Sequence, residues 1–131
     1  MAPILLDTSV MFDHLNGRYG RTEYLDQLVE QGHLLACCPV NITEVYAGIR
    51  PGEEEKTAAF IESLEFFPVT SAIAQKAGLL RRDWRQRGRT LSYTDVTIAA
   101  VALTHGLPLL TDNHKHFPME ELEILPLPSA G

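Results

Sequence analysis

The sequence offers little for a disulfide or a thiolate metal site. Its two cysteines, Cys37 and Cys38, are adjacent within an apolar run. They lack metal-ligand spacing and read as small buried hydrophobes. No apolar run approaches the ~20 residues that a membrane-spanning helix needs. Met1-Ala2-Pro3 lacks the basic region and long apolar core of a secretion signal. A soluble, cytoplasmic protein with no membrane role is expected. No internal repeat, linker or low-complexity segment interrupts the chain, so a single domain over residues 1–131 is expected. An excess of positive charge is missing too. Eleven Lys and Arg against 17 Asp and Glu leave a net charge of −6, which at first sight argues against nucleic acid. The distribution says more, because Arg81, Arg82, Arg85, Arg87 and Arg89 fall within nine positions. Such a patch can hold phosphates, or merely complement the dipole at a helix end.

What is present begins with Ile4-Leu5-Leu6-Asp7-Thr8-Ser9. An apolar run stops at one carboxylate, and two hydroxyls follow. This reads as a short buried strand delivering Asp7 to a sheet edge. Thr8 or Ser9 then caps a helix. Strand, polar residue, helix is how open α/β sheets build sites. The plainer alternative is that Asp7 only N-caps the helix.

A helix is expected to about Leu15, broken by Asn16-Gly17, and a second from Arg21 to Gln31 with Leu25, Leu28 and Val29 inward. Leu34–Cys38 reads as a strand. Asn41 with Glu44 three later fits a capping box, which puts Glu44 in a first turn. That helix has Ile42, Val45, Tyr46 and Ile49 on one apolar face. The next carries Phe60, Ile61 and Leu64 inward, and Phe66–Val69 reads as a third strand. Thr70 caps a long helix with Ile73, Ala77, Leu80 and Trp84 on one side, closed by Gly88. Ser92-Tyr93-Thr94-Asp95 opens the most apolar helix, which ends at Gly106. Pro108–Leu110 is a fourth strand delivering Thr111-Asp112-Asn113, and Glu123–Leu125 a short fifth. Phe117 reads as a core plug and the Pro-rich end as a tail. Strands alternating with helices predict a parallel sheet covered on both faces.

Asp7 and Asp112/Asn113 therefore follow strands, while Glu44 and Asp95 sit early in helices that follow loops. In a parallel sheet these places share the carboxyl edge. Carboxylates converging there repel one another and raise their pKa values. A divalent cation resolves the conflict, and all-oxygen ligands select Mg²⁺ or Mn²⁺ over zinc. Such a site can activate water for phosphoryl displacement. His105, His114 and His116 could suggest zinc, but no third soft ligand is in view.

Four stretches carry a resemblance: Leu5-Leu6-Asp7-Thr8-Ser9-Val10, Ile42-Thr43-Glu44-Val45, Tyr93-Thr94-Asp95-Val96-Thr97-Ile98-Ala99-Ala100 and Leu110-Thr111-Asp112-Asn113-His114-Lys115-His116-Phe117. In order, they resemble the four acidic motifs of PIN-domain nucleases. The last two, joined by Ala102-Leu103-Thr104-His105-Gly106, resemble VapC-type toxins of bacterial toxin–antitoxin pairs. The resemblance covers nearly the whole chain. It implies a three-layer α/β/α PIN-like fold with a four- to five-stranded, mainly parallel sheet. It also implies a Mg²⁺- or Mn²⁺-dependent endoribonuclease, a homodimer, and neutralisation by a VapB-type antitoxin, in some cases within a larger complex. Asp7, Glu44 and Asp95 map onto the acidic positions. The fourth position falls on Asn113, with Asp112 one step earlier, and both are kept as candidates. Thr8, Ser9 and Thr111 would hold the carboxylates, and Arg81, Arg82, Arg85 and Arg89 would meet RNA. An aspartyl-phosphate phosphatase also starts with Asp after a strand, but would want a second Asp where Ser9 stands. The remaining alternative is a non-catalytic PIN-like module that binds RNA or protein.

Overall fold

The computed structural model describes residues 1–128. Residues 129–131, the last part of the expected tail, lie outside the described residues. In chain order the elements are β1 (Ile4–Leu6), α1 (Thr8–Leu15), α2 (Arg21–Glu30), β2 (Leu35–Cys37), α3 (Pro39–Gly48) and α4 (Glu54–Glu62). There follow β3 (Glu65–Phe66), α5 (Ser71–Gln86), α6 (Tyr93–His105), β4 (Leu109–Leu110) and β5 (Ile124–Leu125), with a single 3-10 turn at His114–His116.

All pairings in the sheet are parallel, in the order β3-β2-β1-β4-β5. The expected α/β architecture is thus present, with five strands. β1 is central because Ile4, Leu5 and Leu6 are apolar on both faces, as a strand covered from both sides requires. Alternation divides them. Leu5, Ala36 and Leu109 join one core with α5 and α6, around Ile98, Val101 and the plug Phe117. Ile4, Leu6, Leu35 and Leu110 join a second core with Met11, Leu25 and Val45. From β1 the chain proceeds to β2 and β3 on one side and later to β4 and β5 on the other. The crevice between β1 and β4 is therefore the point where strand order reverses, which is where open α/β sheets hold ligands.

Several boundaries differ from expectation for local reasons. Pro68 has no N–H to give a ladder, so the third strand stops at Phe66 and does not reach Val69. α2 buries a narrow stripe, Leu25 and Leu28, and leaves Val29 54% exposed. On α3, Val45 is buried but Tyr46 faces solvent. Thr70 and Ser92 cap α5 and α6 through their hydroxyls, and Gly106 ends α6 at φ 64°, a left-handed value that favours glycine. No helix among the described residues is long and apolar enough to cross a membrane.

Candidate active site

Asp7 leaves the end of β1 and N-caps α1, its Oδ1 accepting from the Thr8 amide at 2.8 Å. The cap is Asp7 itself and not Thr8 or Ser9. Capping occupies one oxygen only. Its Oδ2 accepts from the Thr111 hydroxyl at 2.7 Å, across the β1–β4 crevice, and from the Ser9 hydroxyl at 3.2 Å. These three donors compensate a carboxylate that is only 5% exposed.

Glu44 is placed by a different route. The expected box of Asn41 with Glu44 does not form. Pro39 at the first helical position starts α3 three residues earlier, with Cys38 as its N-cap. Asn41 becomes the third helical residue and Glu44 falls in the second turn. The wholly buried Asn41 accepts from the Cys38 amide at 2.9 Å and donates to the Thr8 hydroxyl at 2.9 Å. Thr8 in turn donates to Glu44 Oε1 at 2.7 Å. A buried chain of hydrogen bonds thus runs from the end of β2, through α1, to Glu44.

Asp95 sits in the first turn of α6, where its own amide donates to the Ser92 cap at 3.0 Å. Burial pushes its carboxyl above the usual range, and the charge of Asp7 adds to this; the Ser92 hydrogen bond and His116 oppose it. The His116 Nδ1 lies 3.5 Å from Asp95 Oδ2.

A cleft of about 440 Å³ gathers these groups. Asp7, Thr8, Ser9, Glu44, Asp95 and Asn113 all line it, together with Phe12, Ser92, Thr94 and His116. Asp112 does not line it. Its Oδ2 lies 3.6 Å from Arg21 and its Oδ1 accepts from the Ser9 hydroxyl at 3.4 Å, the hydroxyl to which Asn113 Nδ2 donates at 3.4 Å. Arg21 is almost wholly buried, between Asp112 and Asp13, and also donates to the Pro128 carbonyl at 3.2 Å.

The pattern of the PIN domain matches residues 4–121 of this sequence. The chain belongs to the PIN-domain family. It is 35% identical over 115 residues to ribonuclease VapC19 of Mycobacterium tuberculosis, covering 88% of this chain and 92% of that protein. It is 33% identical over 118 residues to ribonuclease VapC10 of the same organism, covering 90% and 88%. Among solved structures it is similar to a chain of VapBC2 from Rickettsia felis bound to a promoter DNA fragment, with a TM-score of 0.82 at 21% identity, covering 95% of this chain and 98% of that one.

Within this PIN fold the donor set of the cleft is almost entirely oxygen. Among the described residues no three His, Cys, Asp or Glu side chains stand close enough to grip one ion together. That spacing still suits Mg²⁺, which keeps several waters and takes one or two carboxylates directly. It does not suit a structural zinc site, which needs four ligands in close contact. His105 does not line the cleft; it packs against Phe67 at 4.9 Å between ring centroids, the rings tilted by 50°.

The arginine cluster is divided. Arg81 donates to the Leu91 carbonyl at 2.8 Å, and Arg82 pairs with Asp83 at 3.0 Å. Arg85 and Arg89 form no salt bridge among the described residues, and both are exposed. Sequence reasoning read Asn41 only as a helix cap and Ser92 and Thr94 only as the opening of α6, passed over Phe12, and considered His116 only for zinc. Pro39 two positions before Asn41 was the signal that could have set the helix start and revealed the buried amide.

Proposed function

We propose that this chain is an endoribonuclease toxin of the VapC type, hydrolysing RNA phosphodiester bonds and silenced by a cognate VapB-type antitoxin. The observation that carries it is the cleft at the β1–β4 crevice, lined by Asp7, Glu44, Asp95 and Asn113. The relatives named ribonucleases support the same reading.

One or two of Asp7, Glu44 and Asp95 would hold Mg²⁺ or Mn²⁺ directly, and the others, with the Asn113 side-chain oxygen, would hold it through its retained waters. Bound there, the ion would supply charge for the phosphate and lower the pKa of a water. Around it the chain's own residues have distinct tasks. Thr8, Ser9 and Thr111 fix the carboxylate of Asp7. Asn41, through Thr8, fixes Glu44. Asp95, raised by burial, accepts a cation's charge with more gain than a solvated carboxylate would. Asp112, drawn to Arg21, is left out of the metal set. In hydrolysis, water's oxygen bonds to phosphorus, the ribose oxygen leaves, and a proton passes from the water to the leaving oxygen.

The antitoxin reading rests on the toxin–antitoxin neighbour and on charge. A cleft of carboxylates on a chain at −6 attracts an arginine, whose planar fork suits carboxylates. A homodimer, and a larger toxin–antitoxin assembly, belong to the same proposal.

The test is RNA cleavage by purified protein with Mg²⁺ or Mn²⁺, with chelator, and by Asp7→Asn. Metal-dependent cutting lost in Asp7→Asn is expected. Cutting that survives both treatments, or no cutting by the parent protein, sinks the nuclease reading in favour of a binding module. Mass measurement of the toxin alone and with its antitoxin tests the assembly. Easing of inhibition at high Mg²⁺ tests occlusion of the cleft.

A further inference from the structure

Tyr93 is 70% exposed, although it opens the most apolar helix of the fold. Its chain neighbours Ser92, Thr94 and Asp95 all line the cleft. The ring itself does not line the cleft, but it stands in the helix turn that supplies three of the lining residues. One of its faces is covered by Arg81, whose guanidinium carbon lies 4.1 Å from the ring centroid. That guanidinium is itself fixed, Nε donating to the Leu91 carbonyl at 2.8 Å and Nη1 to the Tyr93 hydroxyl at 3.4 Å.

Burial does not explain this arrangement. A cation over an exposed ring contributes only about 0.5–1 kcal/mol, and immobilising an arginine opposes it. What the arrangement does provide is a ring held at a fixed tilt with its other face turned to water. Two further arginines lie over aromatic rings among the described residues: Arg21 over Tyr19 at 5.8 Å, a looser contact whose guanidinium is drawn to Asp112, and Arg87 over Trp84 at 3.9 Å. The Trp84 ring is half-buried and borders a hollow with Asp83, Glu120 and Glu121, whose charges repel phosphate. The Tyr93 pair differs in being flanked in the chain by cleft-lining residues on both sides, and it carries a positive charge on its back.

We propose that Tyr93, backed by Arg81, is a stacking platform for one unpaired base of the RNA beside the phosphate held in the cleft. The proposal rests on the nuclease reading above. Aromatic faces receive bases of any identity, and an arginine behind the ring adds attraction for the neighbouring phosphate. A base already paired in a duplex cannot present its face, so the platform selects single-stranded segments.

The test uses the full-length protein with Ca²⁺ replacing Mg²⁺ to hold RNA uncut. The probe is a random-sequence single-stranded 12-nucleotide RNA, compared with an RNA duplex of the same length. Tyr93→Ala and Tyr93→Leu should weaken single-strand binding by about tenfold, whereas Tyr93→Phe, which keeps the ring, should bind as the parent does. Duplex binding should change little in all three. Ultraviolet crosslinking of a 4-thiouridine-containing probe should map to Tyr93. Leu matching Phe, or all variants binding equally, overturns the platform while leaving the nuclease reading intact. Loss of antitoxin binding in Tyr93→Ala with RNA binding unchanged overturns it too, assigning the ring to the protein partner. A parent protein that neither binds nor cuts RNA overturns both.

Discussion

Asn41 reaches Glu44 only through the hydroxyl of Thr8, which accepts from the one at 2.9 Å and donates to the other at 2.7 Å. A wholly buried amide thereby sets the direction of a half-exposed carboxylate in the cleft. Asn41→Ala would orphan the Cys38 amide and release Thr8. A loss of about 1–3 kcal/mol is expected for groups left unpaired in the interior. Denaturant unfolding gives the stability, and Mn²⁺ titration the metal affinity, which should fall with Glu44 no longer held. Unchanged Mn²⁺ affinity would show that Glu44 needs no such support.

Asp95 has a carboxyl raised mainly by burial. The folded state therefore holds its proton more tightly than the unfolded chain does. Between the ordinary carboxylate pKa and the raised one, the native protein binds more protons, so this group's contribution to stability falls as pH rises through that interval. Asp95→Asn should end RNA cleavage, yet leave the metal-free protein as stable at pH 7 or more so. Thermal melts in chelator and a cleavage assay with Mg²⁺ check the two halves. A variant that still cuts RNA would remove Asp95 from the site.

Gly48, the last residue of α3, lies against the ring of Phe12, where a Cβ would come within 2.8 Å of two ring carbons. The ring also lines the cleft, so it has an open side toward which to move. In Gly48→Ala the helix gains up to about 1 kcal/mol of propensity, offset by displacement of the ring. Unfolding free energy should shift little, while kcat/KM for RNA falls because Phe12 intrudes on the cleft. Equal activity would mean that the ring yields elsewhere.

Arg85 and Arg89 are exposed members of the basic run with neither the carboxylate partner of Arg82 nor the aromatic ring under Arg87 among the described residues. Reversing both to Glu should weaken RNA binding and flatten its salt dependence by about two phosphate contacts. Binding measured across 50–200 mM salt decides the matter. An unchanged slope would make the pair a solvated helix end.

Much of this fold is written locally. The run Ile4-Leu5-Leu6 fixes a central strand because both its faces must be covered, and Thr70, Ser92 and Gly106 mark helix ends by their own hydrogen-bonding and backbone chemistry. The alignment of Asp7, Glu44 and Asp95 on one edge follows from the alternation of strands and helices. What resisted sequence reasoning depends on partners distant in the chain. Arg21 is an unremarkable helix-start residue until Asp13 and Asp112 close over it. That contact engages one oxygen of Asp112, and it is Asn113 that lines the cleft, a difference in placement that spacing alone left open. Asn41 was misplaced because Pro39 moved the helix start, exchanging a surface cap for a buried network.

The 2.7 Å bond from Thr111 to Asp7 joins residues 104 positions apart. The crevice it crosses is closed by β4, which precedes only β5 in the sheet's chain order. A growing chain on the ribosome can join Thr8 to Glu44 early, but Asp7 waits for the Thr111 hydroxyl until nearly the whole chain has been made. Through most of the chain's synthesis the cleft, and with it the activity proposed above, is therefore unassembled until the last strands arrive.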